Sequence, residues 1–300
     1  MIITTIDGRI VRTSQVPFAS VVEDLSAPYG LCNVLRETSG SGLVPLTSPG
    51  LLDLRLDCDS FKDDLWRKRY SSSSGVYVVG DKVYVVHGMD HPLIDHERLR
   101  AGISEGLVNY GVRLRPEESV LFVERKIKGL RDYTTFLEET RDGNIPSGEQ
   151  YGVVADISLV VGLPNDTIRL SEWVKDPRAI MFAGGKKRVE SYAEVLSRNK
   201  VERSWLSLDT ERGKEDRGRL VFVEGNSVYG FYGYSNINFN GRVVGVAPKA
   251  QIVSGAVQPS NIKGPNEQPL EERIKKLDSG LIIIDGVLYQ PVHNSLVPKP

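Results

Sequence analysis

Apolar and polar residues alternate in short runs along this chain, and the runs come in pairs. Around Asp7-Gly8, Gly80-Asp81, Glu224-Gly225, Asn240-Gly241 and Asp285-Gly286, two stretches rich in Val, Ile and Tyr flank a tight turn. Asn-Gly and Asp-Gly readily adopt the positive φ that two-residue hairpin turns require, and the alternation suits strands with one buried face. The pattern predicts antiparallel hairpins at 6–10, 76–86, 220–229, 239–243 and 282–289. Their spacing is irregular, which argues against a propeller or solenoid.

Between the hairpins the apolar period changes to three and four. Asp95 is placed to cap a helix whose stripe is Leu99, Ile103, Leu107 and Tyr110, with Gly111 as its stop. Ser60 can cap another that buries Phe61, Leu65 and Trp66. Further helices fit 132–139, 189–198 and 269–277, while 51–56, 120–123 and 153–161 read as buried strands and Ser71 to Ser74 as a loop. Helices and strands do not alternate regularly. The expected class is therefore α+β, mainly antiparallel hairpins with packed helices. The Gly-, Asp-, Asn- and Pro-rich stretch 140–152 suggests an N-terminal domain 1–142 and a C-terminal domain 143–300, with a single domain as the alternative.

Composition narrows the partners without choosing one. With 38 Lys plus Arg against 39 Asp plus Glu, the formal charge is −1, so contact with nucleic acid or an anionic membrane would have to be local. Cys32 and Cys58 have neither a CxxC pairing nor a histidine at zinc-ligand spacing, and they read as thiols of a reducing compartment. Residues 1–14 lack the basic and apolar regions of a secretion signal, and no apolar run reaches membrane-spanning length. A cytoplasmic chain with no membrane contact is expected.

Three clusters could carry chemistry. His87, His91 and His96 fall close together beside Asp90 and Asp95, and imidazole with carboxylate is a common donor set for divalent metals. The apolar run 120–123 ends in Glu124-Arg125-Lys126, where a carboxylate could hold the metal and Lys126 could orient an attacking water. Gly184-Gly185-Lys186-Lys187-Arg188 precedes a predicted helix, an arrangement suited to a phosphate, although no complete P-loop is present.

Asn226-Ser227-Val228-Tyr229-Gly230 resembles the Asn-Ser-x-Tyr-Gly segment of family B DNA polymerases. Upstream, Asp156-Ile157-Ser158-Leu159 is similar to the start of that family's Asp-x-x-Ser-Leu-Tyr-Pro element, and downstream Leu277-Asp278-Ser279 to its Asp-Thr-Asp-Ser element. The resemblance implies a palm in which Asp156 and Asp278 bind catalytic metal while Asn226 and Tyr229 meet the nucleotide. With Phe222 in place of a lysine and Lys276 in place of an aspartate, that palm would be degenerate.

Two functional expectations follow, and whether the chain is an enzyme stays open between them. One is metal-assisted phosphoryl transfer on DNA or RNA, with Mg or Mn as cofactor, by a nuclease or a polymerase-like palm. The other is a non-catalytic, hairpin-rich protein that binds a protein partner through an exposed aromatic patch at 229–234.

Overall fold

The computed structural model describes residues 2–4, 10–12, 19–26, 28–58, 60–147, 149–208, 215–225, 229–233, 241–246, 274–276, 282–284, 287–292 and 295–298. These fall into two compact units, Met1–Ile252 and Val253–Pro300. The first contains strands β1 (Ile2–Thr4), β2 (Ile10–Arg12) and β3 (Ala19–Asp24), then α1 (Gly30–Gly40), β4 (Val44–Pro45), α2 (Ser48–Leu56) and α3 (Asp64–Arg67). The hairpin β5 (Tyr70–Val79) and β6 (Lys82–His87) leads to α4 (His96–Ser104), β7 (Leu107–Val108), β8 (Gly111–Arg113) and α5 (Pro116–Val123). Next come β9 (Leu130–Asp132), α6 (Tyr133–Glu139), β10 (Tyr151–Asp156), β11 (Asp166–Arg169), α7 (Leu170–Trp173), α8 (Pro177–Ala183) and α9 (Lys186–Arg198). Strands β12 (Arg203–Leu208), β13 (Arg217–Glu224), β14 (Gly230–Gly233) and β15 (Gly241–Val246) follow.

One mixed sheet organises this unit in the order β11-β12-β14-β13-β5-β6-β10-β9, with β15 joining β3, β4 and β5 beside that path. Most neighbours are antiparallel, while β12 with β14 and β9 with β10 are parallel. The architecture is α+β, as the pattern predicts. Strand alternation divides the interior in two. Val76, Val78, Val83, Val85, Val153 and Ala155 face a core shared with α2, α8 and α9, whereas Tyr77, Val79, Tyr84, Val86 and Val154 face another under α1, α4 and α5. The second unit has an antiparallel meander, β16 (Ile274–Lys276), β17 (Ile282–Ile284), β18 (Val287–Val292) and β19 (Ser295–Pro298).

Local chemistry places several elements where the sequence predicts them. Asp95 caps α4 by accepting from the Glu97 and Arg98 amides, and Val189, Tyr192 and Leu196 form the buried stripe of α9. The hairpin at Gly80-Asp81 is an antiparallel pair, as is the pair at Asp285-Gly286, whereas β13 pairs with Gly230–Gly233, so the second strand of the hairpin expected at 220–229 lies beyond those bounds. Other expectations are corrected. Helix α4 ends at Ser104, and Leu107 and Tyr110 belong to a small β7–β8 hairpin whose turn residues Asn109 and Tyr110 have positive φ. Residues 51–56 are helical because Thr47 caps α2 and a proline sits in its first turn. The helix is covered on most sides, which erases the apolar periodicity. Residues 120–123 form the end of α5 instead of a strand, with Pro116 at its start and the Glu118 carboxylate accepting from the Arg115 amide at 2.8 Å. Ser71 to Ser74 lie in the buried first half of β5, not in a loop, and the hydroxyls of Ser72, Ser73 and Ser74 find partners inside the fold. Ile274 to Lys276 are strand where a helix was expected, and the remainder of 269–277 lies outside the described residues. Among the described residues, no helix is long and apolar enough to cross a membrane.

Candidate functional site

The histidines do not converge. His87, at the end of β6, donates from Nε2 to the Met181 carbonyl at 3.0 Å, and its Nδ1 meets the Ser74 hydroxyl at 2.8 Å. His91 donates from Nε2 to the Ser73 carbonyl at 3.0 Å and takes the Tyr77 hydroxyl on Nδ1 at 2.6 Å. Each ring therefore has both nitrogens committed to the protein. Burial pushes the two pKa values down to about 3 and about 4, so both rings are neutral. His96 starts α4 and lies 3.2 Å from Glu97. Among the described residues, no group of three His, Cys, Asp or Glu side chains is placed to hold a metal ion, which corrects the expectation of a metal site at His87, His91 and His96.

The remaining predicted residues are scattered. Glu124 and Lys126 follow α5 and pair with each other at 2.6 Å on the surface. Asp156 ends β10, pairs with Lys82 at 3.1 Å and accepts from the Ser158 amide at 2.9 Å; these contacts hold its carboxyl well below the usual range, the Ser158 contacts most strongly. Lys186 reaches Glu190 at 3.6 Å, and Lys187 donates to the Asp142 carbonyl. Arg188 turns inward, bonding Asp53 at 2.6 and 3.1 Å and the Ala183 carbonyl at 2.6 Å. The three cations thus point to three different partners. Asp278 and Asn226 lie outside the described residues.

Tyr229 and its neighbours carry a different signal. The expected aromatic patch is split by strand alternation, because β14 lies between β12 and β13 and is covered on one face. Tyr229 is 8% exposed and packs on Phe61 and Trp66, with ring centroids at 4.9 and 6.2 Å. Phe231 is fully buried, stacked on Trp173 at 5.6 Å. Both are core residues.

Tyr232 projects from the opposite face of β14 and is only partly buried. Its ring stacks on Trp205 with centroids 5.0 Å apart and planes within 9°. The Arg69 guanidinium lies 4.9 Å from the Tyr232 centroid and 5.4 Å from that of Phe222, and its Nε donates to Glu224 at 2.6 Å. Register explains the convergence: Tyr232 is opposite Phe222 on β13 and Ser207 on β12, so Trp205, Tyr232, Phe222 and Glu224 share one face of the sheet. Among the described residues, the Trp205 indole N–H has no hydrogen-bond partner. The result is a planar, amphipathic platform in which a cation, a phenol and an indole are layered, with a carboxylate holding the cation in place. It offers aromatic contact area and a fixed cation.

The sequence held a signal for this platform. Residues 225–240 contain four Asn, three Tyr, three Gly and two Ser and no charged side chain. Tyr supplies rigid amphipathic area at low entropic cost, and Ser, Asn and Gly supply adaptable hydrogen bonding, the composition of adaptable protein-binding surfaces.

No protein-family model matches the chain, and no curated protein matches it. Among solved structures, one described as the accommodation of massive sequence variation in Nanoarchaeota by the C-type lectin fold is similar over 78% of this chain and 100% of its own, at 18% identity and a TM-score of 0.60. That likeness overturns the resemblance to family B polymerases, and with it the nuclease and polymerase-like expectations. Physically, Tyr229, expected at the nucleotide, is a core residue just before the interior strand β14, and Phe231 of that strand is buried as well. The fold of this chain is the C-type lectin fold.

Proposed function

We propose that this chain is a non-catalytic binding protein that holds a protein partner on the Arg69–Tyr232–Trp205 platform. The observation that carries the reading is the stack itself: Tyr232 and Trp205 lie 5.0 Å apart on a sheet face, and Arg69 is fixed over Tyr232 by Glu224. Tyr, Trp and Arg dominate the binding energy of protein interfaces, and side chains already held in their bound geometry lose little entropy on association. The neighbouring structure, in which the same fold accommodates massive sequence variation, supports a division between a core that carries the fold and surface residues that carry recognition.

The test is capture of partners by the immobilised full chain from its native source, repeated with Tyr232→Ala and Arg69→Ala. One protein should be retained by the parent chain and lost at least about tenfold by each variant, the size of effect expected for hot-spot residues. Thermal melting of both variants should stay close to that of the parent. A partner retained equally by all three proteins would remove the platform from the binding site, and retention of nothing at micromolar concentration would remove the function.

A further inference from the structure

Toward the other end of the same sheet, β6, β10 and β9 floor an open cleft of about 370 Å³. Lys82 is registered with Asp156, Tyr84 with Val154, and Val154 with Asp132, so these five residues share one face. Val123 and Arg125, from the end of α5, form part of the wall. Arg125 is held in the left-handed region at φ 56°, where it turns back to Asp132.

The charges of the cleft balance in two pairs, Lys82 with Asp156 at 3.1 Å and Arg125 with Asp132 at 2.9 Å. All four side chains are roughly half exposed, between 42% and 62%. Pairs this exposed hold weakly and open readily to another charged group. Between them lies Tyr84, which lines the cleft and is 5% exposed. Among the described residues its hydroxyl has no hydrogen-bond partner, and it is not one of the fully buried polar atoms left without one, so it opens onto the cleft. Burial raises the pKa of this phenol, and Lys82 and Arg125 each pull it back, which puts both cations within electrostatic reach of the ring.

We propose that this cleft binds a small zwitterion of the α-amino-acid class with an apolar side chain. Its carboxylate accepts from the Tyr84 hydroxyl between Lys82 and Arg125, and its ammonium takes the carboxylates of Asp156 and Asp132. The apolar side chain rests on Val123, which is 66% exposed with the cleft beside it. Two cations and two anions leave the cleft neutral, so a net anion or cation would add an uncompensated charge, whereas a ligand bearing one of each can exchange partners with both pairs. This site is separate from the aromatic platform and does not depend on the protein-binding reading.

The test follows amide signals of the isotope-labelled full chain during titration with L-leucine, 4-methylpentanoate and 3-methylbutylamine, which carry both charges or only one. Leucine should produce saturable shifts at residues 82–84, 125, 132 and 154–156, with each half-ligand at least about tenfold weaker. Tyr84→Phe should weaken leucine about tenfold, the effect of losing a hydrogen bond to a charged group. Lys82→Gln, altered at an exposed side chain, should weaken it similarly and keeps the test sound if Tyr84→Phe disturbs the packing of that ring on Phe122. Absence of saturable shifts, equal binding of 4-methylpentanoate and leucine, or unchanged leucine affinity in Lys82→Gln would overturn the proposal.

Discussion

Acidification from pH 8 to pH 5 perturbs two interior rings before it touches the depressed carboxylates. His87 and His91 are 1% and 6% exposed, and their pKa values are pushed by burial to about 3 and about 4. In the unfolded chain both return to the ordinary value of about 6.5, so as pH falls through that value the unfolded state takes up protons that the folded state refuses. The stability they contribute is fully present above about pH 7.5 and is lost progressively down to their folded pKa values. At pH 5 each ring is about 1.5 pH units below the unfolded pKa, and at about 1.4 kcal/mol per unit this removes about 2 kcal/mol each, or about 4 kcal/mol together. Set against a typical domain stability of about 5–15 kcal/mol, the loss is large. Urea unfolding followed by tryptophan fluorescence at pH 8, 7, 6 and 5 measures it as a falling midpoint. His87→Gln and His91→Gln should each remove about half of the pH slope, whatever their cost at pH 8. A midpoint that stays constant between pH 8 and pH 5, or a double variant that keeps the full slope, would refute the reasoning.

Three further outcomes separate core from surface. Phe231→Ala should lower stability by about 3–5 kcal/mol in a urea melt, because the ring is fully buried against Trp173 and Phe182, while its neighbour Tyr232→Ala should cost much less. Ser74→Ala should cost about 1–3 kcal/mol by stranding the His87 Nδ1 acceptor and the Ser48 amide, and equal stability of variant and parent would show that the interior hydroxyl network is dispensable. Asp95→Ala should cost about 1 kcal/mol through the lost cap of α4, with Asp95→Asn recovering most of it in the same melt.

What was legible in the sequence depended on how far away the partner was. Asp95 satisfies amides two and three residues ahead, and Gly80-Asp81 turns a strand back on itself, so both could be read from a short window. The serines of β5 could not, because their acceptors are Pro45, 28 residues away, and Val221, 149 residues away. Polar side chains look like loop until the carbonyls that receive them are known. The histidines misled for the same reason: His87 is bonded to Met181, 94 residues off, and three neighbouring imidazoles suggested a ligand set where two are interior hydrogen-bonding groups. The platform is assembled from Arg69, Trp205 and Tyr232, which only the order of strands brings together. Its aromatic, uncharged composition was visible at 225–240, but the same letters also matched a polymerase motif.

Strand geometry gives the platform a consequence that loops would not. On β14 the core residue Phe231 and the platform residue Tyr232 are adjacent, and the side-chain period of two sends them to opposite faces. On β12, Leu206 is buried directly beside the platform residue Trp205, and on β13 Val223 is buried between Phe222 and Glu224. A one-residue slip of β14 would bury Tyr232 and expel Phe231, so the inward residues fix the register. Once they do, Tyr232 packs only at the edge of the second core, partly buried, and its side chain can be exchanged at a lower cost in stability than that of Phe231. The fold is then specified chiefly by the inward residues Phe231, Leu206 and Val223, while Tyr232 and Trp205, partly buried on the other face beside the buried Phe222, are left to the platform.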